Sequence, residues 1–186
     1  MATYCYSYTN GSLAMRVVAP DYVAQSGEYL SSPEPATQAA LETVFTGYSE
    51  RVKTLQAYAN QKQNGLFSKG TVWTFNVAAS GAAPIPCTTA LDFSGTTSIL
   101  EIAAWTQLNA GNPSATLPYS NVNFSPLTLT LAEAQSLVAQ AGGAKMAAYA
   151  TLNAVMGAIS AGIITTTAQI DNPPTPLPAW PDPGAQ

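Results

Sequence analysis

YSNVNFSPLTLTLAEAQSLVAQAGGAKMAAYATLNAVMGAISAGIITTTAQID, residues 119–171, decides how the rest of the chain is read. Thr130-Leu131-Ala132-Glu133 fits a capping box, in which the Thr hydroxyl and the Glu carboxylate satisfy the first free amides of a helix reciprocally. Ala134, Leu137, Val138, Ala141, Ala148, Tyr149, Leu152, Val155, Met156 and Ile159 then recur at helical spacing. The spacing predicts a long helix with a bend at Gly142-Gly143, closed by one final capped turn over Thr165–Ile170. Upstream, Val122 and Phe124 suggest a strand, and Pro126–Leu129 an extended entry.

Working outward, residues 2–8 alternate, with Tyr4, Tyr6 and Tyr8 on one side, and Asn10-Gly11 is a hairpin turn signal. Leu13, Met15 and Val17 form the return strand. Gln25–Glu28 reads as a second turn. Ser31–Pro35 looks like a helix entrance, with hydroxyl caps and prolines in the first turn. Leu41, Val44, Phe45, Tyr48, Val52, Leu55, Tyr58 and Ala59 follow as one apolar face. They predict an amphipathic helix of some thirty residues, weakest at Gly47. Thr71–Val77 is a strand by composition. Residues 78–86 carry Gly and Pro and stand as the boundary between two halves. Thr88–Phe93 is a short strand, and Ser94-Gly95 a turn. Ile99, Leu100, Ile102, Ala103, Trp105 and Leu108 form the stripe of a shorter helix, and residues 109–117 a loop. From Asn172 the chain is rich in proline and reads as a polyproline-type tail. Leu177 and Trp180 are its candidate partner-docking residues, because a preformed extended segment loses little entropy on binding. Lacking helix or strand signals, this tail is expected to be dispensable for folding.

The expected fold class is α+β. An N-terminal β-hairpin and long amphipathic helix lead into a small C-terminal helical domain with short strands and an extended Pro-rich tail. The corresponding segments are 1–78, 87–171 and 172–186. Charged residues make up only 9% of the 186 positions, against 47% hydrophobic, and the net charge is −4. The hydrophobic content excludes intrinsic disorder. The sparse charge leaves little to hold neighbours apart, which suits a subunit of an assembly. Arg51, Lys53, Lys62 and Lys69 sit on or near the second half of the long helix, where its dipole favours cations, and Lys145 is the one base after residue 70. No basic stripe with interleaved aromatics is present, so no nucleic-acid partner is expected. The apolar run over 155–164 is too short to span a bilayer, and the N-terminus shows no signal peptide. A soluble protein made in the cytoplasm, with no membrane partner, is expected.

The chain has no histidine, which removes Ser-His-Asp and Cys-His nucleophiles and most zinc sites. Carboxylates are scattered singly, and no Gly-rich phosphate loop or metal-ligand spacing occurs. We therefore expect no enzyme, no catalytic, cofactor-binding or metal residues and no cofactor. Cys5 and Cys87 read as free buried thiols, with one disulfide as the alternative.

Two stretches resemble bacteriophage proteins. Tyr22-Val23-Ala24-Gln25-Ser26-Gly27-Glu28, continuing to Phe45 and Tyr48, resembles an N-terminal segment of tail-fibre and tail-fibre-assembly accessory proteins. Leu91–Asp171 is similar to a domain of unknown function recurrent near the C-terminus of phage tail proteins. That likeness lies at Phe93 with Ser98-Ile99-Leu100, at Tyr119–Phe124, at Leu129–Glu133 and at Ile159–Ile170. Tyr119 and Gly157 depart from the residues common there. The resemblance implies a non-enzymatic component of a phage tail, in the fibre or baseplate region. Its partners would be other phage tail proteins in an oligomeric assembly, and its location the virion tail after synthesis in the host cytoplasm. A tail-fibre assembly chaperone and a receptor- or glycan-binding module are the rival expectations.

Overall fold

The structure is a computed structural model describing residues 2–122 and 125–184; for Phe93, Thr96 and Thr97 it describes the backbone alone. The fold is α+β. The chain divides into two compact units, Met1–Lys62 with Ala150–Trp180, and Gln63–Tyr149 with Pro181–Gln186. In chain order the elements are β1 (Thr3–Thr9), β2 (Ser12–Val18), β3 (Glu28–Ser31), α1 (Gln38–Val44), α2 (Tyr48–Leu66), β4 (Val72–Val77), β5 (Ile85–Ala90), α3 (Phe93–Leu108), β6 (Thr116–Ser120), β7 (Pro126–Thr130), α4 (Leu131–Ser160) and α5 (Thr167–Asp171).

In the first unit the tyrosine alternation produces β1, and Asn10-Gly11 turns it into β2 with Tyr4 opposite Val17 and Tyr6 opposite Met15. β3 adds to the other edge of β1, giving an antiparallel order β2-β1-β3. Tyr6 is fully buried, and its hydroxyl accepts a hydrogen bond from the Ala36 amide at 3.0 Å. Against it pack Leu41, Phe45, Tyr48, Val52, Leu55, Val155, Ile159, Ile164 and Ile170. The predicted long helix is two helices. Gly47 stands at φ +80°, a left-handed conformation that ends one helix and starts the next. The break turns the apolar face so that Phe45 and Tyr48 are both buried, while Val44 is 45% exposed. The helix entrance predicted at Ser31–Pro35 also moves. Ser31 belongs to β3, and the N-cap is Thr37, whose hydroxyl accepts from the Ala40 amide at 3.3 Å.

In the second unit β4 and β5 form a hairpin with Phe75 opposite Cys87. Residues 78–86 therefore lead from one paired strand into the next, and the two halves do not separate there. The pairing of Val77 with Ile85 holds the segment closed. Asp92 caps α3 by accepting from the Gly95 amide at 2.9 Å, so the predicted Ser94-Gly95 turn is the first turn of a longer helix. β6 and β7 form a second hairpin, with Tyr119 opposite Leu127. The expected loop over 109–117 is present as far as Ala115, and its last two residues open strand β6 at Thr116. The strand expected around Val122 and Phe124 is not seen at Val122, which lies in a turn; Phe124 is outside the described residues. Asn121 joins the hairpins: its side-chain oxygen accepts from the Thr88 amide at 2.7 Å. Trp73, Phe75, Val77, Cys87, Leu91, Leu129, Ala134, Leu137 and Ala141 form this unit's core.

The capping box at the start of α4 is present. The Glu133 carboxylate accepts from the Thr130 amide at 2.8 Å and from its hydroxyl at 2.9 Å, and the Glu133 amide donates to that hydroxyl at 3.3 Å. The helix then runs unbroken for 30 residues through Gly142-Gly143. Nothing lies within 4 Å of a Cβ built at either glycine, so no neighbour forces the predicted bend. Thr166 and Gln169 form a second capping box at α5, where the sequence predicts a final capped turn.

Candidate interaction surface

Two clusters of ionisable groups in the first unit form structural ties. Arg16 donates to the Tyr22 hydroxyl and to Glu28, each at 2.6 Å, and Tyr22 donates to the other Glu28 oxygen at 2.8 Å. The Gln25 amide also donates to Glu28, at 2.9 Å. That amide, then Tyr22, hold the Glu28 carboxyl below its ordinary value. Lys62 Nζ lies 2.6 Å from an Asp171 oxygen, and the Tyr58 hydroxyl donates to the same carboxylate at 3.0 Å. The Lys62 hydrogen bond depresses Asp171, with Tyr58 assisting. Both groups are explained as clasps, one closing the 19–28 loop onto β2 and the other fastening α5 to α2.

Cys5 and Cys87 are free and buried. Burial pushes the Cys87 thiol up to about 11, with the Glu133 charge adding to the effect. Such a thiol is protonated and inert at neutral pH. Among the described residues, no group of three or more His, Cys, Asp or Glu could hold a metal ion, and no helix is long and apolar enough to cross a membrane.

Leu177 and Trp180, expected to dock on a partner, sit half-buried against their own chain's core. The Trp180 indole N–H donates to the Ile170 carbonyl at 2.6 Å. The Thr151 hydroxyl donates to the Ala179 carbonyl at 3.0 Å, and the Leu177 amide to that of Pro174 at 2.9 Å. Further on, the Thr74 amide donates to the Pro183 carbonyl at 3.0 Å. The proline-rich segment is thus part of the folded structure, and the expectation that it is dispensable for folding is corrected. Composition foretold its extension; it could not foretell that a buried rim and an open backbone acceptor awaited it.

Exposed apolar side chains are found at several places, Val17, Val23, Met146 and Tyr149 among them, and two lie on α3. Ile99, Ile102 and Thr106 face inward, whereas Leu100 is 64% and Leu108 86% exposed. Glu101, Ala104 and Gln107 complete the outward face. Beside Leu100 a groove of about 190 Å³ opens between α3 and α4, walled by Leu91, Ile99, Ala103, Val138 and Ala141. Lys145 is the one charged residue lining it; its ammonium also stands 5.5 Å from the centre of the Phe67 ring. A scattered exposed leucine is ordinary, but Leu100 stands at the rim of an apolar groove, and exposed apolar surface of that kind marks contact sites. The sequence reading put Leu100 and Leu108 in one helical stripe with Ile99 and Ile102. α3 is apolar on both sides, so periodicity could not separate its two faces.

No protein-family model matches the chain, and no curated protein or solved structure matches it.

Proposed function

We propose that this protein is a non-enzymatic structural or accessory component of a bacteriophage tail, in the fibre or baseplate region, acting through protein–protein contacts. The observation that carries the contact-making role is the apolar outer face of α3, with Leu100 and Leu108 exposed beside the α3–α4 groove. A surface with so few charges lowers the cost of bringing another protein against that face. The tail assignment comes from the resemblance of Tyr22–Tyr48 and Leu91–Asp171 to phage tail proteins.

Mass spectrometry of purified particles of the encoding phage tests this reading. Peptides of this chain at stoichiometric abundance are the expected result. Their absence from particles overturns it; if the chain then co-purifies with free fibres, it acts as an assembly chaperone.

A further inference from the structure

We infer that the first hairpin carries a site of spontaneous covalent modification: the Asn10 side chain cyclises onto the Gly11 nitrogen and loses its amide, converting the turn to aspartate and isoaspartate. The inference is independent of the tail assignment and of any contact surface.

The chain holds two Asn-Gly pairs, Asn10-Gly11 and Asn64-Gly65. In each, the residue after the asparagine has no Cβ to crowd the approach of its nitrogen to the asparagine side chain. Sequence alone gives both pairs the same chemistry, and the fold separates them. Asn10 and Gly11 are both exposed, at φ 52° and 74°, in the two-residue turn between β1 and β2. Thr9 pairs with Ser12 across that turn. The bond that closes such a turn spans its two central residues and leaves the second one's amide to solvent, here that of Gly11. Nothing lies within 4 Å of a Cβ built on Gly11, so no neighbour obstructs a five-membered ring there.

The second pair is held shut. Gly65 lies inside α2, where a helical N–H is spent on the carbonyl four residues back. The Gly65 carbonyl accepts from the Ser68 and Thr71 hydroxyls, each at 2.9 Å, and the Trp73 indole donates to the Leu66 carbonyl at 2.9 Å. These bonds fasten the last turn of α2, which must open before the Gly65 nitrogen can turn to the Asn64 side chain.

At the hairpin, the Gly11 nitrogen gives up its proton and attacks the side-chain carbonyl carbon of Asn10. A new C–N bond forms, the bond to Nδ2 breaks, and the departing group takes the proton to leave as ammonia. Water then opens the cyclic imide at either carbonyl, one way to aspartate and the other to isoaspartate. Each product adds one negative charge to a net charge of −4. Aspartate leaves the main chain unaltered, and Asp-Gly suits the same turn. Isoaspartate routes the main chain through an additional carbon, which spoils the match between a two-residue turn and the twist of its strands. The strain falls next to Leu13, which is buried and stands opposite Tyr8.

The test holds the full chain in mildly alkaline buffer, samples it over time and digests it with trypsin. Met1–Arg16 carries Asn10, and Gln63–Lys69 carries Asn64. Mass spectrometry should show the first peptide exchanging an amide for a carboxylate about tenfold or more faster than the second, because only the second needs a helix turn to open. Chromatography should resolve its aspartyl and isoaspartyl forms. In the same chain unfolded in guanidinium chloride, the two peptides should convert at comparable rates. Asn10→Asp should keep the denaturant midpoint of fresh protein, and aged protein enriched in isoaspartate should unfold at a lower one. Folded protein in which Asn64 converts as fast as Asn10 overturns the proposal. So does an Asn10 peptide that keeps its amide while the unfolded chain converts. Aged protein as stable as fresh overturns the effect on the hairpin.

Discussion

The indole nitrogen of Trp180 donates to the carbonyl oxygen of Ile170, the fully buried residue of α5. That bond satisfies a carbonyl at the C-terminal end of a five-residue helix, which has few carbonyl partners of its own. Trp180→Phe should therefore cost about 1 kcal/mol, the loss of a single hydrogen bond, and Trp180→Ala about 2 kcal/mol or more as the packing goes too. Deleting residues 172–186 should lower the denaturant midpoint further than either. Urea unfolding of the three variants checks the order.

Gly95 faces the Ala90 carbonyl oxygen so closely that a Cβ built on it would lie 1.8 Å away. The N-terminal turn of α3 can rest on β5 only without a side chain there. Gly95→Ala should destabilise by about 3 kcal/mol through enforced backbone displacement. Gly142→Ala and Gly143→Ala meet open space inside a regular helix, and each should stabilise by roughly 0.5–1 kcal/mol. Thermal melts of the three should split in sign.

Thr130→Ala removes the acceptor for the Glu133 amide and one of the two donors to its carboxylate. The expected loss is about 1 kcal/mol. Glu133 is itself only 6% exposed, so Glu133→Ala, which leaves the Thr130 amide without its acceptor, should cost more than Thr130→Ala. Leu137→Asp, at a fully buried position of the same helix, should prevent the second unit from folding, since a lone buried charge costs several kcal/mol. Far-ultraviolet circular dichroism distinguishes the graded losses from the collapse.

The local signals were legible and the long-range ones were not. The hairpin at Asn10-Gly11, the capping box at Thr130 and the capped turn over Thr165–Ile170 are settled within a few residues, so the chain states them directly. The pairing of β3 with β1 joins Ser31 to Tyr4 across a stretch with no strand periodicity of its own. Gly47 was recognisable as a weak point, yet whether a helix breaks there depends on what Phe45 and Tyr48 must reach. On α3, apolar residues on both faces hid which side met the core. The tail residues Leu177 and Trp180 were recognisable as adhesive; their partner is their own chain.

Acid should loosen the first unit through Asp171. Its carboxyl is depressed in the folded state by Lys62 and Tyr58. The associated stability is present above the unfolded carboxylate value and is lost as pH falls through the lower, folded one. Asp171→Asn should flatten the acid limb of a stability–pH profile while lowering stability at neutrality.

Alkali acts on groups that are neutral when folded. Burial raises Tyr48 and Tyr119 from 10.0 to about 12, and Cys87 from 9.0 to about 11. Their contribution is complete below the unfolded values and is lost as pH climbs through the folded ones. Stability should decline between about pH 9 and 12, and Cys87→Ala should delay its onset. Chemical denaturation at stepped alkaline pH follows both.

The division of the chain into interleaved segments governs the order in which the molecule can be made. The first unit takes Met1–Lys62 from one end and Ala150–Trp180 from the other. Tyr6, Leu41 and Val52 cannot meet Val155, Ile159 or Ile170 until those residues have left the ribosome. Between residues 62 and 150 lie 150 − 62 = 88 steps of synthesis. At bacterial and eukaryotic elongation rates that is a wait of about 4 to 18 seconds. Through that interval the N-terminal hairpin and its helices are an unfinished half, with an apolar side open to whatever the cell supplies to cover it.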